Sequence, residues 1–563
     1  MTRTQAAAIE FTGGINSIEL QAGSVISGNV LAFSTADTLK LGGDTDSSFD
    51  VFSIGDAAQY RGFGTFEKTG NSTWTLTGTP KGVTAWTLSR GTLSVSDDAN
   101  LGAVVGGLTF DGGTLQVTGT QYTSSARAMT LGEHGGGFDI VDVDNAFTVS
   151  QTLSGQGAVW KRGDGTLILS GDNSFSGGLA VEKGVVKATT ATAFGSGVVN
   201  IASGAKTDMS DLDMTIGGLE GAGVIAMGHG DLTLESGFDS AFAGVIDGTG
   251  GLTKTGAGFQ TLSGINTYTG LTTVVGGTLS QGAAGAFNTA SSGYTVGPDG
   301  MLDLGGFSTS LAALSNGGNI TFGGAGGTVL DVTGNYAGSG GLLVFNSVLG
   351  DDTSCTDKLV VSGDTSGTTR VSVNNLGGSG ASTLSGIELI HVGGNSAGDF
   401  TQQGRIAAGA NDYSLVRGTG ADANNWYLTS SPNSPVKPVD PSPGVQALRP
   451  EAGAYIGNLA AANSMFTANL VDRPDETEYT DAVTGEHKVT SLWMRTGGGR
   501  NRSEDSSGQL KMKANRYSVL LGGELAGGSS RNGSTWRMGG WRDMAMITIR
   551  PLPISLGIGQ RAR

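Results

Sequence analysis

The chain has 563 residues, 99 of them glycine, and a net charge of −16 with a sequence pI near 4.7. That acidity argues against nucleic acid as a partner, because phosphate repels it. Glycine without a collagen period, interleaved with Val, Leu, Thr and Phe, marks chain corners rather than disorder. Cys355 is the only cysteine, which rules out an intrachain disulfide.

Residues 1–11 contain no apolar run, so no signal peptide is expected there. No stretch of about 18 apolar residues occurs, so no transmembrane helix is expected either. Short alternating runs begin at once: Ser17-Ile18-Glu19-Leu20, Val30-Leu31-Ala32-Phe33, Thr38-Leu39-Lys40-Leu41. The chain therefore starts inside a β architecture without a cap, and residues upstream are expected to be missing.

From residue 61 one unit is written three times. Its copies are Phe66-Glu67-Lys68-Thr69-Gly70, Trp160-Lys161-Arg162-Gly163-Asp164-Gly165 and Leu252-Thr253-Lys254-Thr255-Gly256. Lys68, Lys161 and Lys254 are spaced by 93 residues (161 less 68, 254 less 161), and Gly91, Gly184 and Gly277 keep the same register. Equal spacing of two markers is the signature of a repeat architecture. Each copy holds runs of about five residues that alternate apolar and polar, as half-buried strands do. A coil of such strands cannot bury its apolar face alone and has to stack on a neighbour. At roughly 20–25 residues per coil, one repeat makes about four coils of a parallel β-helix. A string of β-sandwich domains of about 93 residues is the alternative.

After residue 330 the strands grow longer and more apolar, as in Leu342-Leu343-Val344-Phe345 and Ile387-Glu388-Leu389-Ile390. Residues 342–428 are therefore expected to be the most stable stretch. Five prolines fall between Ser430 and Gly444, the mark of an extended linker. Next comes a small-residue helix candidate, with Pro450 suited to N1 and Glu451 to the first turn. Amphipathic strands follow at Val489–Met494, Lys511–Leu525 and Thr535–Met538.

In this order, repeats, linker, helix and strands resemble a bacterial autotransporter (type V secretion) of the AIDA/pertactin-like kind. The Lys-Thr-Gly…Leu-Ser-Gly…Gly-Gly-Thr-Leu unit is similar to that family's passenger-associated transport repeat. Tyr413-Ser414-Leu415-Val416 with Asn425-Trp426-Tyr427-Leu428 resembles the end of its autochaperone region. Arg449 through Phe466 resembles its pore helix, and Leu492-Trp493-Met494-Arg495 its first barrel strand. The resemblance implies an all-β chain: a right-handed parallel β-helix passenger, a Pro-rich linker, a short helix and the first strands of an incomplete outer-membrane barrel. The implied boundaries are 1–330 for the repeat passenger, 331–430 for the autochaperone-like region, 431–448 for the linker, 449–475 for the pore helix and 476–541 for the partial barrel. A non-matching basic tail occupies 542–563. Such barrels have about twelve strands and about three fit here, so this polypeptide alone is not expected to translocate a passenger.

The resemblance implies a non-catalytic adhesin, aggregation or biofilm-type protein of the cell surface. Its partners would be host-cell or bacterial-surface ligands, with the outer membrane and barrel-assembly machinery for the full-length form, and no cofactor. The runner-up is a polysaccharide-cleaving β-helix enzyme, for which Asp139, Asp142 and Asp144 are the clustered acids. Gly394-Asn395-Ser396-Ala397-Gly398 fits the nucleophile-elbow pattern but precedes no helical pattern. His134, His229, His391 and His487 lack metal-ligand spacing. Arg162, Gly163 and Asp164 form a candidate integrin-type cell-attachment tripeptide placed in a turn, where the other copies have Thr69-Gly70-Asn71 and Thr255-Gly256-Ala257.

Overall fold

A computed structural model describes residues 7–80, 82–430, 451, 455, 459, 477–490, 492–504, 511–530 and 533–551. The linker 431–448 and nearly all of the pore-helix-like segment 449–475 lie outside the described residues. Two units are present: residues 1–347, 356–374 and 389–403 form the first, and residues 348–355, 375–388 and 404–563 the second.

The first unit is a parallel β-solenoid, not a string of sandwiches. One sheet stacks Ser17–Leu20, Thr38–Leu41, Thr65–Lys68, Trp86–Leu88, Leu108–Phe110 and Met129–Leu131, every pairing parallel. A second stacks Ser47–Asp50, Thr73–Thr77, Thr92–Val95, Thr114–Val117, Gly136–Ile140, Val159–Arg162, Leu179–Val181 and Val198–Ile201. A third runs from Ser124–Ser125 through Ala146–Val149, Thr166–Leu169, Val185–Ala188, Lys206–Asp208 and Val224–Gly228 to Val245–Gly248. Strand alternation turns every second side chain inward. In-register stacking then aligns these side chains into columns such as Trp74, Leu93, Leu115 and Phe138. Each column member contributes about 2 kcal/mol by leaving water.

Register pairs give the length of a coil: Phe138 lies against Lys161 and Lys161 against Val181. Coils thus vary in length, and a 93-residue interval is not a whole number of them. Lys68 ends a strand of the first sheet, whereas Lys161 is the next-to-last residue of a strand of the second. Lys254 belongs to a further ladder through Met214–Ile216, Leu232–Glu235, Leu252–Thr255 and Thr272–Gln281. The repeat is a corner unit that fits whichever face it meets.

Buried asparagines tie coils together in the same period. Asn173 accepts from the Leu153 N–H and donates to the Ala193 carbonyl, both at 2.8 Å. Asn266 does the same to Ile246 at 2.9 Å and Ala286 at 2.8 Å. Each satisfies backbone groups that a corner would otherwise leave unpaired.

In the second unit the pairing becomes antiparallel. Ile406–Ala408 pairs with Asn411–Arg417, which pairs with Trp426–Thr429. The Tyr413 hydroxyl donates to the Gly350 carbonyl at 2.7 Å and accepts the Ala381 N–H at 2.9 Å, pinning two loops to this hairpin. Further on, Trp493–Glu504, Lys511–Ser529 and Thr535–Pro551 form an antiparallel three-stranded sheet. The third of these strands pairs as far as Pro551 and so runs through residues 542–551 of the stretch read as a tail. Met494, Tyr517 and Leu521 are exposed on this sheet.

Candidate functional site

The outer face of the second sheet carries the sequence candidates. Residues 116, 139 and 162 are in register on successive coils, and Glu182 follows beside Arg162. Their side chains join into a polar ladder. Gln116 Nε2 donates to the Asp139 carboxylate at 2.7 Å. Arg162 makes a two-pronged contact with Glu182 at 2.8 and 3.1 Å. Lys183 Nζ donates to Asp164 at 2.8 Å. The Glu182 hydrogen bonds hold the Arg162 guanidinium above its ordinary pKa.

Trp160 anchors this face. Its indole N–H donates to Thr114 Oγ1 at 3.0 Å, two coils away, and Arg162 lies over its ring at 5.9 Å. The indole can lie there because Gly137 beneath it has no side chain; a Cβ would come 1.8 Å from Trp160 Nε1. The tripeptide thus sits at a corner, with Gly163 at φ 75°, and both its charges are engaged by the next coil. Exposed ion pairs of this kind contribute about 0–1 kcal/mol, so they order the face without rigidly locking it.

The other candidates are not brought together. Asp139 belongs to the ladder, whereas Asp142 accepts the Asp144 N–H at 3.1 Å within a turn. Ser396 is 2% exposed and forms a parallel bridge with Thr365, and the element that directly follows it is the strand Asp399–Gln402 rather than a helix. His134 and His229 are exposed, and each has Nδ1 within 2.9 Å of one aspartate, Asp111 and Asp211 respectively. His391 is exposed on a strand and His487 opens another. Among the described residues, no cluster of three or more His, Cys, Asp or Glu is arranged to hold a metal ion.

Sequence reasoning missed Arg127. It is fully buried and binds Asp98 through Nε at 2.9 Å and Nη2 at 3.1 Å. Its Nη1 donates to the carbonyls of Leu101, Ala103 and Gly106 at 3.2, 2.8 and 2.9 Å. No repeat copy carries an equivalent arginine, so no periodic signal marked it.

Residues 161–188 and 252–280 match the family model Passenger-associated-transport-repeat, and residues 309–415 match Autochaperone Domain Type 1. The two repeat matches contain Lys161 with Gly184 and Lys254 with Gly277. The chain is 42% identical to the Escherichia coli protein YuaQ over 58% of its own length and 24% of that protein. It is 50% identical to Escherichia coli YdeU over 38% of its length and 49% of that protein. It is 34% identical to the adhesin BmaC autotransporter of Brucella suis over 72% of its length and 12% of that protein. The chain therefore spans half or less of each of these relatives. With transport repeats in its middle and an autochaperone domain toward its C-terminal side, the solenoid is an autotransporter passenger.

Proposed function

We propose that this passenger is a non-catalytic adhesin, displayed at the cell surface after type V export through an outer-membrane barrel. The observation that carries the reading is the similarity to the BmaC adhesin along 72% of the chain. The geometry supports it: stacked coils repeat polar side chains along one flank, which suits contact with an extended surface better than enclosure of a small substrate. Host-cell or bacterial-surface ligands are the partners in this reading.

The test is gain of adherence. Bacteria displaying residues 1–430 on an intact autotransporter barrel should bind epithelial monolayers, or one another, several-fold more than bacteria displaying the barrel alone. No gain on any of these surfaces would sink the proposal. Within it, the tripeptide serves as ladder rungs rather than as an integrin ligand, because Glu182 and Lys183 occupy its charges. The double substitution Arg162→Ala with Asp164→Ala should leave adherence within about twofold of the parent, since exposed pairs contribute little. A drop to the barrel-only level would make the tripeptide the attachment site.

A further inference from the structure

The three repeat lysines stand where a solenoid normally places an aliphatic residue. Lys68 is in line with Leu41 and Leu88, Lys161 with Phe138 and Val181, and Lys254 with Leu234 and Val274. All three are fully buried. Their amines donate only to backbone carbonyls. Lys161 Nζ reaches the carbonyls of Arg162 at 2.6 Å, Gly163 at 2.8 Å and Lys183 at 3.2 Å. Lys68 reaches Thr69, Gly70 and Arg90, the last two at 3.3 and 3.4 Å. Lys254 reaches Thr255, Gly256 and Gly276, the last two at 3.1 and 3.5 Å.

The acceptors come from two coils. Two belong to the lysine's own corner, and the third belongs to the corner of the following coil. That following corner also supplies the lid. Gly91, Gly184 and Gly277 have φ of 67°, 73° and 65°. A Cβ on them would lie 2.7, 2.8 and 2.9 Å from the respective lysine Nζ. The two sequence markers of the repeat are thus the two halves of one contact.

We propose that the lysine of each repeat is a closure lock: its coil packs only once the following coil is in place to accept the amine and seal it. A coil closing alone would strip water from an ammonium and return two of three acceptors, an unfavourable exchange. With the neighbour docked, all three donors are used and the glycine excludes water. Burial without a counter-ion holds Lys68 and Lys161 down to about 8 and lowers Lys254 as well. Asp46 and Glu19 act against that on Lys68, as do Asp139 and Asp164 on Lys161, where Lys183 adds to the lowering. The lock follows from the packing of the coils and does not depend on what the passenger adheres to.

Amine acetylation of the full 563-residue chain, read residue by residue by mass spectrometry, tests it. In the native protein Lys68, Lys161 and Lys254 should react on the order of 100-fold more slowly than exposed Lys183. In Gly184→Ala the lid no longer fits, so Lys161 alone should approach the rate of Lys183 while Lys68 and Lys254 stay slow. If Lys161 stays slow in that variant, or all three react like Lys183 in the parent, the lock does not exist. Should Gly184→Ala fail to fold, Lys161→Met decides. Pulsed hydrogen exchange during refolding should show Val159–Leu169 closing earlier than in the parent, with no rate change between pH 7 and 9. The parent's closure should quicken several-fold over that range as the amine neutralises. Identical timing and pH profile in the two proteins would overturn the proposal.

Discussion

Replacing Arg127 by methionine should cost the corner around residues 98–106 about 3–4 kcal/mol, because it takes a fully buried guanidinium away from a partly exposed carboxylate and from backbone carbonyls. The loss follows from the bonds Arg127 makes. Methionine fills the space but leaves Asp98 without its cation and the Gly106 carbonyl without a donor, while the carbonyls of Leu101 and Ala103 keep only Thr84 Oγ1 and the Gly106 N–H respectively. A solenoid coil touches only its neighbours, so the damage should stay local. Amide exchange should accelerate by roughly two to three orders of magnitude across Trp86–Phe110 and hardly change beyond Val185. Uniform acceleration along the whole solenoid, or none at the corner, would contradict this account.

The same pair carries a pH signature. Burial works to raise the Asp98 carboxyl, but hydrogen bonds from Arg127, Tyr122 and Ser125 outweigh it and hold the group below its ordinary value. A depressed carboxylate contributes stability above its unfolded pKa and loses it as pH falls through the folded one. The corner should therefore loosen below about pH 4, and Arg127→Met should show less of that acid sensitivity than the parent.

Much of this was legible before any coordinate. The equal intervals of Lys68, Lys161 and Lys254 announced a repeat because lysine and glycine are both required where the coils meet. Alternation in Thr166–Leu169 gave a strand because one face is buried. What lay out of reach were contacts between residues about twenty apart, which exist only once coils stack. The amine beneath Gly184 is one, and the Trp160 indole over Gly137 another. Neither shows in a local pattern. Asn173 and Asn266 did leave a signal, being 93 residues apart like the lysines, but the first copy has Pro80 there. The change of face between Lys68 and Lys161 was hidden because coil length varies while repeat length does not. Among the attachment residues the turn was readable, but the occupation of Arg162 and Asp164 by Glu182 and Lys183 needed the next coil.

The stretch that matches the autochaperone domain depends on one buried acid, Asp357. It is fully buried, and its two oxygens accept the N–H of Thr328 at 2.9 Å and of Asn346 at 2.7 Å. Burial raises its carboxyl, with those hydrogen bonds working against the rise. A raised acid favours the folded state most at low pH and loses that advantage as pH climbs through the folded value, the reverse of Asp98. Asp357→Ala should strand both N–H groups in a dry site at about 1–3 kcal/mol each, or about 2–6 kcal/mol together. Val329–Val332, Tyr336–Ser347 and Lys358–Val361 are the strands that should loosen. Asp331→Ala is the control: it removes only the contact with Ser310 at 3.0 Å, on a half-buried side chain, and should cost under about 1 kcal/mol. Limited proteolysis of the whole chain should then cut between residues 329 and 361 in Asp357→Ala alone. Equal resistance of the two variants would mean that water or a shifted backbone carbonyl satisfies Thr328 and Asn346, and that Asp357 does not hold this region together.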